Sequence, residues 1–454
     1  MTLRITTAFL LLCAMHFPQP APAQTYTTLY TFCDAATCPD GTDPRSGLIQ
    51  AADGNFYGTT YYGGANSAGV VYKISPSGTY TVVANFGGPN EHPVAGLMQA
   101  TDGAFYGTAG GSIFKLTPDG SLITLASEAG SSAGLIEGED GDLYGTTTGG
   151  GNLGNGVVCD FGGISGCGTV FKVTTSGTLT TLYEFCSQDR CTDGFNPYAG
   201  LVETVDGAFY GTNAFGGRIE DCFNATGCGT VFKLTPSGSL TEIYRFPGPD
   251  SRFGVVPLAG VIQGNDGNFY GTTSGVVDNG CGTVFKIANG TLTTLHKFYQ
   301  PPTCAVGSSP RAGLVQGADG NFYGTTLETI FKITPSGKLT TLYAGGSFIT
   351  GLIQGTDGSF YGTSGSTVFR LSVGLGPFVV TQRTIGRVGS LVNILGTDLS
   401  GATSVTFNGI PATFLVISPT EIKTTVPPGA TTGFVQVVTP DGTLSSNLLF
   451  RVKQ

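Results

Sequence analysis

The 454-residue sequence has no tryptophan, only three histidines and a charged fraction of 11%. Beyond the N-terminus no window keeps a 3.6-residue apolar period, so the sequence predicts no substantial helices. The sequence offers few histidines for a Ser-His-Asp or Cys-His catalytic group. His16 lies in an N-terminal leader, His92 lies in a loop, and His296 stands where other repeats carry Tyr. We therefore assign no catalytic residues and favour a non-enzymatic role.

Glycine is abundant instead, with 73 residues, and it recurs within one phrase that the chain uses seven times. A Gly-Leu-Ile-like start is followed by Asp-Gly and then by an aromatic residue, Tyr, Gly and Thr. Asp-Gly favours the positive φ angles of a tight hairpin, so each copy predicts strands A and B joined by a short turn. A strand-only period of roughly 40 to 65 residues indicates a β-propeller. The turn aspartates are Asp53, Asp102, Asp140, Asp206, Asp266, Asp319 and Asp357.

A second phrase, Gly-Thr-Val-Phe-Lys-Ile-Thr-Pro-Ser-Gly, predicts strand C and the turn to strand D. Strand D follows the first six copies but not the seventh, and the pattern of strand D occurs at residues 26–32, before any strand A. We therefore predict a seven-bladed ring that the N-terminal strand closes, which leaves no open sheet edge. Strand C is predicted at Val70–Ile74, Ser112–Leu116, Thr169–Val173, Thr230–Leu234, Thr283–Ile287, Thr329–Ile333 and Thr367–Leu371.

Each strand C carries one cation, which we interpret as a structural partner of the turn aspartate. These cations are Lys73, Lys115, Lys172, Lys233, Lys286, Lys332 and Arg370.

Loop variation is confined to the B–C and D–A connections, which emerge on the same side of a four-stranded meander. Aromatic rings beside amide and hydroxyl groups suit sugars or peptides, so we place a hypothetical ligand site on this side. Its candidate residues are Tyr61, Tyr62, Phe161, Phe215, Arg218 and Glu220.

Carboxylates in the same loops offer an alternative, a secreted polysaccharide hydrolase or lyase that uses an acidic pair. The candidates are Asp160, Asp189, Asp193, Glu220, Asp221, Asp250 and Asp278.

Residues 1–23 predict a secretory signal peptide, with an apolar run too short to span a bilayer, and no later stretch could span one. The ten cysteines that remain are expected to form disulfides, because export leads to an oxidising compartment. No Cys-x-x-Cys or His-x-x-x-His spacing suggests a metal, and no cofactor is expected. The expected pairs are Cys33–Cys38, Cys159–Cys167, Cys186–Cys191, Cys222–Cys228 and Cys281–Cys304.

Two resemblances agree with these patterns. The Asp-Gly-Asn-Phe-Tyr-Gly-Thr-Thr and Gly-Thr-Val-Phe-Lys-Ile-Thr-Pro-Ser-Gly phrases, over about Thr25 to Val373, resemble the GloVer-type tandem repeats of exported bacterial proteins, which imply no settled activity. The segments SGATSVTFNGIPATF, SPTEIKTTVPPGATTGFVQVVTPDG and SNLLFRV lie in a region of short alternating strands. On these segments, residues Gly376 to Val452 resemble the immunoglobulin-like IPT/TIG domain. In bacterial surface proteins such domains usually serve as spacers or adhesion modules.

The sequence thus predicts an all-β protein with a signal peptide (1–23), a seven-bladed β-propeller (24–375) and an immunoglobulin-like β-sandwich (376–454). We expect an exported binding protein at the cell surface, periplasm or exterior, with a glycan or protein partner. The net charge of −9 disfavours nucleic acid. The hydrolase or lyase and a structural envelope component stay open as alternatives, and so does the oligomeric state.

Overall fold

The computed structural model describes residues 24–33, 38–88, 91–127, 133–153, 159, 165–217, 227–248, 254–275, 281–300, 303–304 and 307–453. The predicted signal peptide, residues 1–23, lies outside them. Within these ranges the chain is all β, apart from two short 3-10 helices at Asp189–Cys191 and Leu399–Gly401. No helix in the described ranges has the length and apolarity to cross a membrane.

The repeat region forms seven four-stranded antiparallel sheets, each with strands A to D side by side. The predicted strands C are confirmed, five of them with the predicted bounds and two with one additional residue. Strand β1 (Thr25–Thr31) completes sheet 7. Sheet 1 holds β2 (Ile49–Gln50), β3 (Phe56–Thr59), β4 (Val70–Ile74) and β5 (Tyr80–Asn85); sheet 2 holds β6 (Met98–Gln99), β7 (Phe105–Ala109), β8 (Ser112–Leu116) and β9 (Leu122–Ser127); sheet 3 holds β10 (Ile136–Glu137), β11 (Leu143–Thr147), β12 (Thr169–Val173) and β13 (Leu179–Glu184).

The remaining sheets follow the same order. Sheet 4 holds β14 (Val202–Glu203), β15 (Phe209–Asn213), β16 (Thr230–Leu234) and β17 (Leu240–Arg245); sheet 5 holds β18 (Ile262–Gln263), β19 (Phe269–Thr273), β20 (Thr283–Ala288) and β21 (Thr291–Lys297), and is followed by a small hairpin of β22 (Tyr299–Gln300) and β23 (Thr303–Cys304); sheet 6 holds β24 (Val315–Gln316), β25 (Phe322–Thr325), β26 (Thr329–Ile333) and β27 (Leu339–Ala344); sheet 7 holds β28 (Ile353–Gln354), β29 (Phe360–Ser364), β30 (Thr367–Ser372) and β1.

Strand β1 occupies the position of the missing strand D, as the sequence predicts. It pairs antiparallel with β30 from Thr25 opposite Ser372 to Thr31 opposite Thr367. The ring of Tyr26 stacks on Tyr343 of sheet 6 with centroids 3.9 Å apart. The N-terminal strand therefore completes sheet 7 and also packs against its neighbours.

The aromatic residues of strand B join successive sheets, because the Tyr of one sheet packs on the Phe of the next, except that Tyr106 packs on Leu143 of sheet 3. Tyr57 and Phe105 have centroids 4.4 Å apart. Phe56 of sheet 1 stacks on Tyr361 of sheet 7 at 3.9 Å, so the last sheet contacts the first. Stacking of this kind adds about 0.5–1.5 kcal/mol per pair to simple burial. The repeated Phe-Tyr pair is therefore the main apolar link between sheets.

The C-terminal residues form the predicted β-sandwich. Its core contains Val405, Ile422, Val437 and Phe450, and β38 alternates buried and exposed residues as a one-sided strand should. Its strands are β31 (Val380–Thr381), β32 (Ile385–Arg387), β33 (Leu391–Leu395), β34 (Ser404–Phe407), β35 (Ile410–Ala412), β36 (Phe414–Ser418), β37 (Glu421–Thr425), β38 (Val435–Thr439), β39 (Gly442–Ser445) and β40 (Arg451–Lys453).

The β-sandwich is docked on the A–B turns and contacts all seven sheets. These contacts lie around the whole ring, so the sandwich occupies the centre of this face. In sheet order they are Thr420 Oγ1 to Ala52 O (2.7 Å), Gln382 Nε2 to Gln99 Oε1 (3.1 Å), Arg383 to Glu137 (2.6 Å), Lys453 to Glu203 (3.3 Å), Arg451 to Gly264 O (3.0 Å), Asn447 Nδ2 to Gln316 O (3.2 Å) and Thr397 to Thr356 (3.0 Å).

Candidate functional site

The repeated Asp, Tyr and Lys residues form a structural group at the A–B turns. In sheet 5, Tyr270 donates a hydrogen bond to Asp266 Oδ2 at 2.8 Å, and Lys286 Nζ lies 2.8 Å from the same oxygen. In sheets 2, 3, 4, 5 and 6 the lysine lies 2.6–3.8 Å from the turn aspartate, which supports the structural interpretation of the cations for these five sheets. Burial by itself would raise the pKa of Asp266, but hydrogen bonds from Lys286, Asn268 and Tyr270 lower that pKa to about 2.

These aspartates should make the fold sensitive to acid. Asp206 and Asp266 each have a folded pKa of about 2, against about 3.9 in an unfolded chain. Their stabilisation is complete above pH about 4 and is lost as the pH falls towards about 2. Because both side chains are more than a third exposed, we expect less than about 1 kcal/mol from each. Thermal unfolding followed by circular dichroism from pH 5 to pH 2 measures the effect.

The control for this prediction is Lys286→Met, which removes the cation and should make the fall in melting temperature shallower. An equal fall in both proteins would show that the ion pairs do not cause the acid sensitivity.

The face opposite the β-sandwich, formed by the B–C and D–A connections, is called the loop face below. It carries a cluster of three rings and one cation. The rings of Tyr61 and His92 are stacked, with centroids 4.6 Å apart, and Tyr62 meets both edge-on. The guanidinium of Arg45 lies 4.1 Å from the centre of the Tyr61 ring and is also paired with Asp43. Such a cluster presents both an aromatic face and a positive charge to solvent.

Three connections of sheets 1 and 2 position this cluster. Tyr61 and Tyr62 follow β3, and a backbone bridge between Thr42 and Tyr62 fixes them. His92 precedes sheet 2, and its Nδ1 lies 2.7 Å from Tyr61 O. The Tyr62 ring is 39% exposed. The prediction from sequence included the two tyrosines but missed His92 and Arg45, which come from other loops.

The remaining predicted ligand residues do not join this cluster within the described residues. Phe215 is partly buried and packs on Phe195 with centroids 5.7 Å apart, so it belongs to the core near sheets 3 and 4. Phe161, Arg218 and Glu220 lie outside the described residues.

A ring of residues surrounds the centre of the loop face. Three of the glycines that precede the A strands lie close to the preceding one: a Cβ at Gly200 would meet Gly134 O at 2.8 Å, one at Gly260 would meet Gly200 O at 3.0 Å, and one at Gly96 would meet Gly47 O at 3.4 Å. Such close approach favours glycine at these three positions. The residues two positions before the glycines that precede the A strands form the ring, and in the described repeats they are Arg45, Val94, Tyr198, Leu258, Arg311 and Ile349. Tyr198 and Ile349 are 40% and 42% exposed.

The loop carboxylates do not provide a free acid–base pair in the described part of the chain. Asp193 is buried, and its Oδ2 accepts hydrogen bonds from Tyr183, at 2.8 Å, and from Ser187. Asp189 lies in a 3-10 helix. The other candidates, Asp160, Glu220, Asp221, Asp250 and Asp278, lie outside the described residues.

Disulfides hold several of these loops. Four of the expected pairs are bonded: Cys33–Cys38, Cys159–Cys167, Cys186–Cys191 and Cys281–Cys304. Cys228 is also disulfide-bonded, and its expected partner Cys222 lies outside the described residues. The sulfur atoms of the second and third bonds lie within 4.8 Å of one another. Zinc binds cysteine as the thiolate, and these cysteines are oxidised to disulfides. We therefore interpret this cluster as a crosslink between loops and not as a metal site.

Comparison with protein families identifies both parts of the chain. The model described as Gloeobacter/Verrucomicrobia repeat matches residues 19–162 and 158–372. The IPT/TIG domain model matches residues 379–452, which form the docked β-sandwich. None of the curated proteins matches the chain.

Several solved structures share the fold. A virginiamycin B lyase from Staphylococcus aureus is 17% identical, with a TM-score of 0.54 over 77% of this chain and 99% of the lyase. The extracellular domain of a hybrid two-component system from B. thetaiotaomicron is 12% identical, with a TM-score of 0.52 over 96% of this chain and 60% of that chain. A fungal alcohol oxidase of the AA5 family, in complex with copper, is 13% identical, with a TM-score of 0.50 over 91% and 98%. At such identities the likeness concerns the fold alone.

Proposed function

Because the chain belongs to the Gloeobacter/Verrucomicrobia repeat family and ends in an IPT/TIG domain, we propose that it is an exported, non-enzymatic binding protein that captures its partner on the loop face. Export is supported by the predicted signal peptide and by the disulfides. The IPT/TIG domain occupies the opposite face, which leaves the loop face as the open side of the ring.

The observation that carries this proposal is the cluster of Arg45, Tyr61, Tyr62 and His92. Its rings are held by backbone and ring contacts before any partner arrives, so binding costs little conformational entropy. It adjoins the residues that surround the centre of the loop face, a set to which Arg45 itself belongs. Two of them, Tyr198 and Ile349, are partly exposed to solvent. Tyrosine and arginine are the residue types that dominate binding interfaces.

A glycan or a peptide fits this surface better than a nucleic acid. Sugars and peptides both offer C–H groups that pack on aromatic faces and polar groups that bond to hydroxyl and guanidinium groups. The net charge of −9 would repel a phosphate backbone, apart from local contacts.

Truncation of single residues of this cluster should weaken capture without unfolding the protein. We expect Tyr62→Ala and Arg45→Ala each to weaken retention of a partner by about tenfold, because truncation of a central interface residue costs more than about 1 kcal/mol. Retention of the mature protein on a glycan array and on a peptide array, with release of reducing ends measured on the same glycans, provides the test.

The matched control is Leu415→Ala, which truncates a side chain that is 63% exposed on the IPT/TIG domain. Retention that is equal in all three variants would exclude the cluster as the site. Release of reducing ends would contradict the non-enzymatic proposal and favour the hydrolase.

A further inference from the structure

The A–B turns repeat one hydrogen bond from sheet to sheet, and among the described residues the junction between sheets 4 and 5 lacks it. The N–H of the residue before each turn aspartate donates to the Gln or Glu that ends strand A of the next sheet. Between sheets 4 and 5 the acceptor would be Gln263, but its buried Oε1 has no partner among the described residues. The bonds made elsewhere include Ala52 to Gln99 (2.9 Å), Thr101 to Glu137 (2.9 Å), Asn265 to Gln316 (3.0 Å), Ala318 to Gln354 (2.9 Å) and Thr356 to Gln50 (2.9 Å).

Sheet 4 also differs from the other sheets at Thr204. Four other sheets carry glycine at its position, and a Cβ there would lie within 3 Å of the Tyr ring, as at Gly317, where it would meet Tyr323 at 2.7 Å. Sheets 1 and 2 carry alanine there, and Tyr57 and Tyr106 still bond to their aspartates, so the γ atoms of Thr204 rather than a Cβ alone set sheet 4 apart. The Thr204 hydroxyl bonds to Asp206. In the described chain the other six tyrosines donate to their turn aspartate, and Tyr210 is the exception.

A shorter C–D turn widens the same junction. In sheet 5 this turn is only Asn289-Gly290, between the paired residues Ala288 and Thr291. In other sheets the glycine of the longer turn lies against strand D of the preceding sheet; a Cβ at Gly238, for example, would meet Leu182 O at 2.5 Å. Gly290 has no atom that close, so the side of sheet 4 at Ile243 is left uncovered.

The two changes together open a cavity of about 560 Å³ between sheets 4 and 5, which we call the junction groove. Such a volume is typical of small-molecule sites. The stacked rings of Tyr210 and Phe269, 4.3 Å apart, are only partly buried there, whereas the equivalent Tyr323 and Phe360 are 1% and 0% exposed. The groove is also lined by Thr204, Val205, Asp206, Glu242, Ile243, Gln263, Asn268, Ile287, Asn289 and Gly290.

We propose that the junction groove binds a neutral sugar residue, at a site separate from the loop face. The partly exposed Tyr210 and Phe269 rings offer an apolar surface for the C–H face of a pyranose. Asn268 and Asn289 also line the groove, and their side-chain amides can bond to sugar hydroxyls. Asp206 and Glu242 are already paired with Lys233 and Arg245, which favours an uncharged ligand over a cation.

The groove has room for more than one sugar unit. Val205 and Asp206 also line an adjoining cavity of about 400 Å³, whose other walls are Arg387, Val452 and Lys453 of the IPT/TIG domain. A linear glycan could therefore run from the junction of sheets 4 and 5 to the edge of the docked domain.

Saturation-transfer NMR with a panel of neutral methyl glycosides on the mature full-length protein tests this inference. We expect transfer from aromatic protons to the ring protons of at least one glycoside, with a Kd of about 1–10 mM for a single unit. Two variants should close the groove with residues that the protein itself uses elsewhere. Thr204→Gly restores the residue of sheets 3, 5, 6 and 7, and replacement of residues 288–290 by Thr-Pro-Ser-Gly restores the longer turn of sheet 6.

Both variants should weaken glycoside binding by at least about tenfold while the melting temperature is kept or raised. Leu415→Ala on the IPT/TIG domain, whose side chain is 63% exposed and lies outside both sites, is the matched control and should bind the glycosides normally. Absence of binding to every glycoside at about 10 mM, or binding that the two closing variants leave unchanged, would overturn the inference. Binding that is lost only in Tyr62→Ala would also overturn it, while it would support the loop face as the sugar site.

Discussion

Removal of residues 24–33 is expected to unfold the repeat domain. The deletion takes β1 from sheet 7 and exposes the backbone of β30, with which β1 pairs over its whole length. It also removes Phe32, which is buried, and Tyr26 and Tyr30, whose rings stack on Tyr343 and Tyr80. Truncation of one large buried aromatic residue costs about 3–5 kcal/mol, and a whole domain is stable by only about 5–15 kcal/mol.

The deletion also removes Cys33, so Cys38→Ser must accompany it to avoid a free thiol. The control is the full-length Cys33→Ser/Cys38→Ser variant, which should lose only the disulfide contribution. A synthetic peptide of residues 24–33 should restore cooperative unfolding to the truncated chain, because it can refill the position of strand D. A truncated chain that unfolds like the control without the peptide would show that ring closure does not depend on β1.

Arg383→Ala is expected to release the IPT/TIG domain from the ring. Arg383 lies 2.6 Å from Glu137, its side chain is only 17% exposed, and it donates a second hydrogen bond to Gly138 O at 2.9 Å. Glu137 also accepts two hydrogen bonds from Thr101, so its carboxylate is fixed in place. Removal of one partner from such a buried pair leaves an uncompensated charge and costs about 3 kcal/mol.

Neighbouring ion pairs make this interface strongly electrostatic. Burial alone would lower the pKa of Lys453, but Glu139 and Glu203 raise it above its ordinary value. Lys453 lies 2.6 Å from Glu139 and 3.3 Å from Glu203. Loss of Arg383 therefore leaves further acidic groups close to Glu137, with fewer cations to offset them.

Urea unfolding and limited proteolysis together measure domain release. The wild-type domains should unfold in one transition, whereas Arg383→Ala should show two and should be cleaved near residues 374–378, between the domains. Lys423→Ala is the control, because its ion pair with Glu421 is 4.0 Å long and the Lys423 side chain is 42% exposed, so its loss should cost less than about 1 kcal/mol. A single transition in Arg383→Ala, with the midpoint of Lys423→Ala, would contradict a role for this pair in docking.

Interactions between residues close in the chain could be predicted from the sequence. The strands C, the closing strand β1, the Lys–Asp pairs and the immunoglobulin-like sandwich all follow from turn residues and from the alternation of side chains along a strand. These signals act over a few residues and repeat seven times, so each copy reinforces the others. The same patterns indicated which loops share a face.

Contacts between distant residues were decided only by the tertiary structure. Arg451 bonds to a carbonyl 187 positions away, and nothing in either local sequence indicates that the sandwich covers the A–B turns. The loop cluster combines Tyr61 with His92 and Arg45 because the packing of sheets 1 and 2 brings three loops together. Such pairings depend on the distances between packed sheets, which the local patterns of turn residues and alternation do not encode.

Thr204 shows, at a single position, what the sequence indicates and what only the tertiary structure decides. The sequence alone shows that Thr stands where four other repeats have Gly, but that difference looks like ordinary variation within a turn. Only the packed structure reveals that this position faces the tyrosine ring in other sheets, that the Thr204 hydroxyl bonds to Asp206, and that Tyr210, which lacks the bond to its aspartate, lines a cavity. Sequence periodicity determined the sheets, and steric contact between them decided where the protein has room for a ligand.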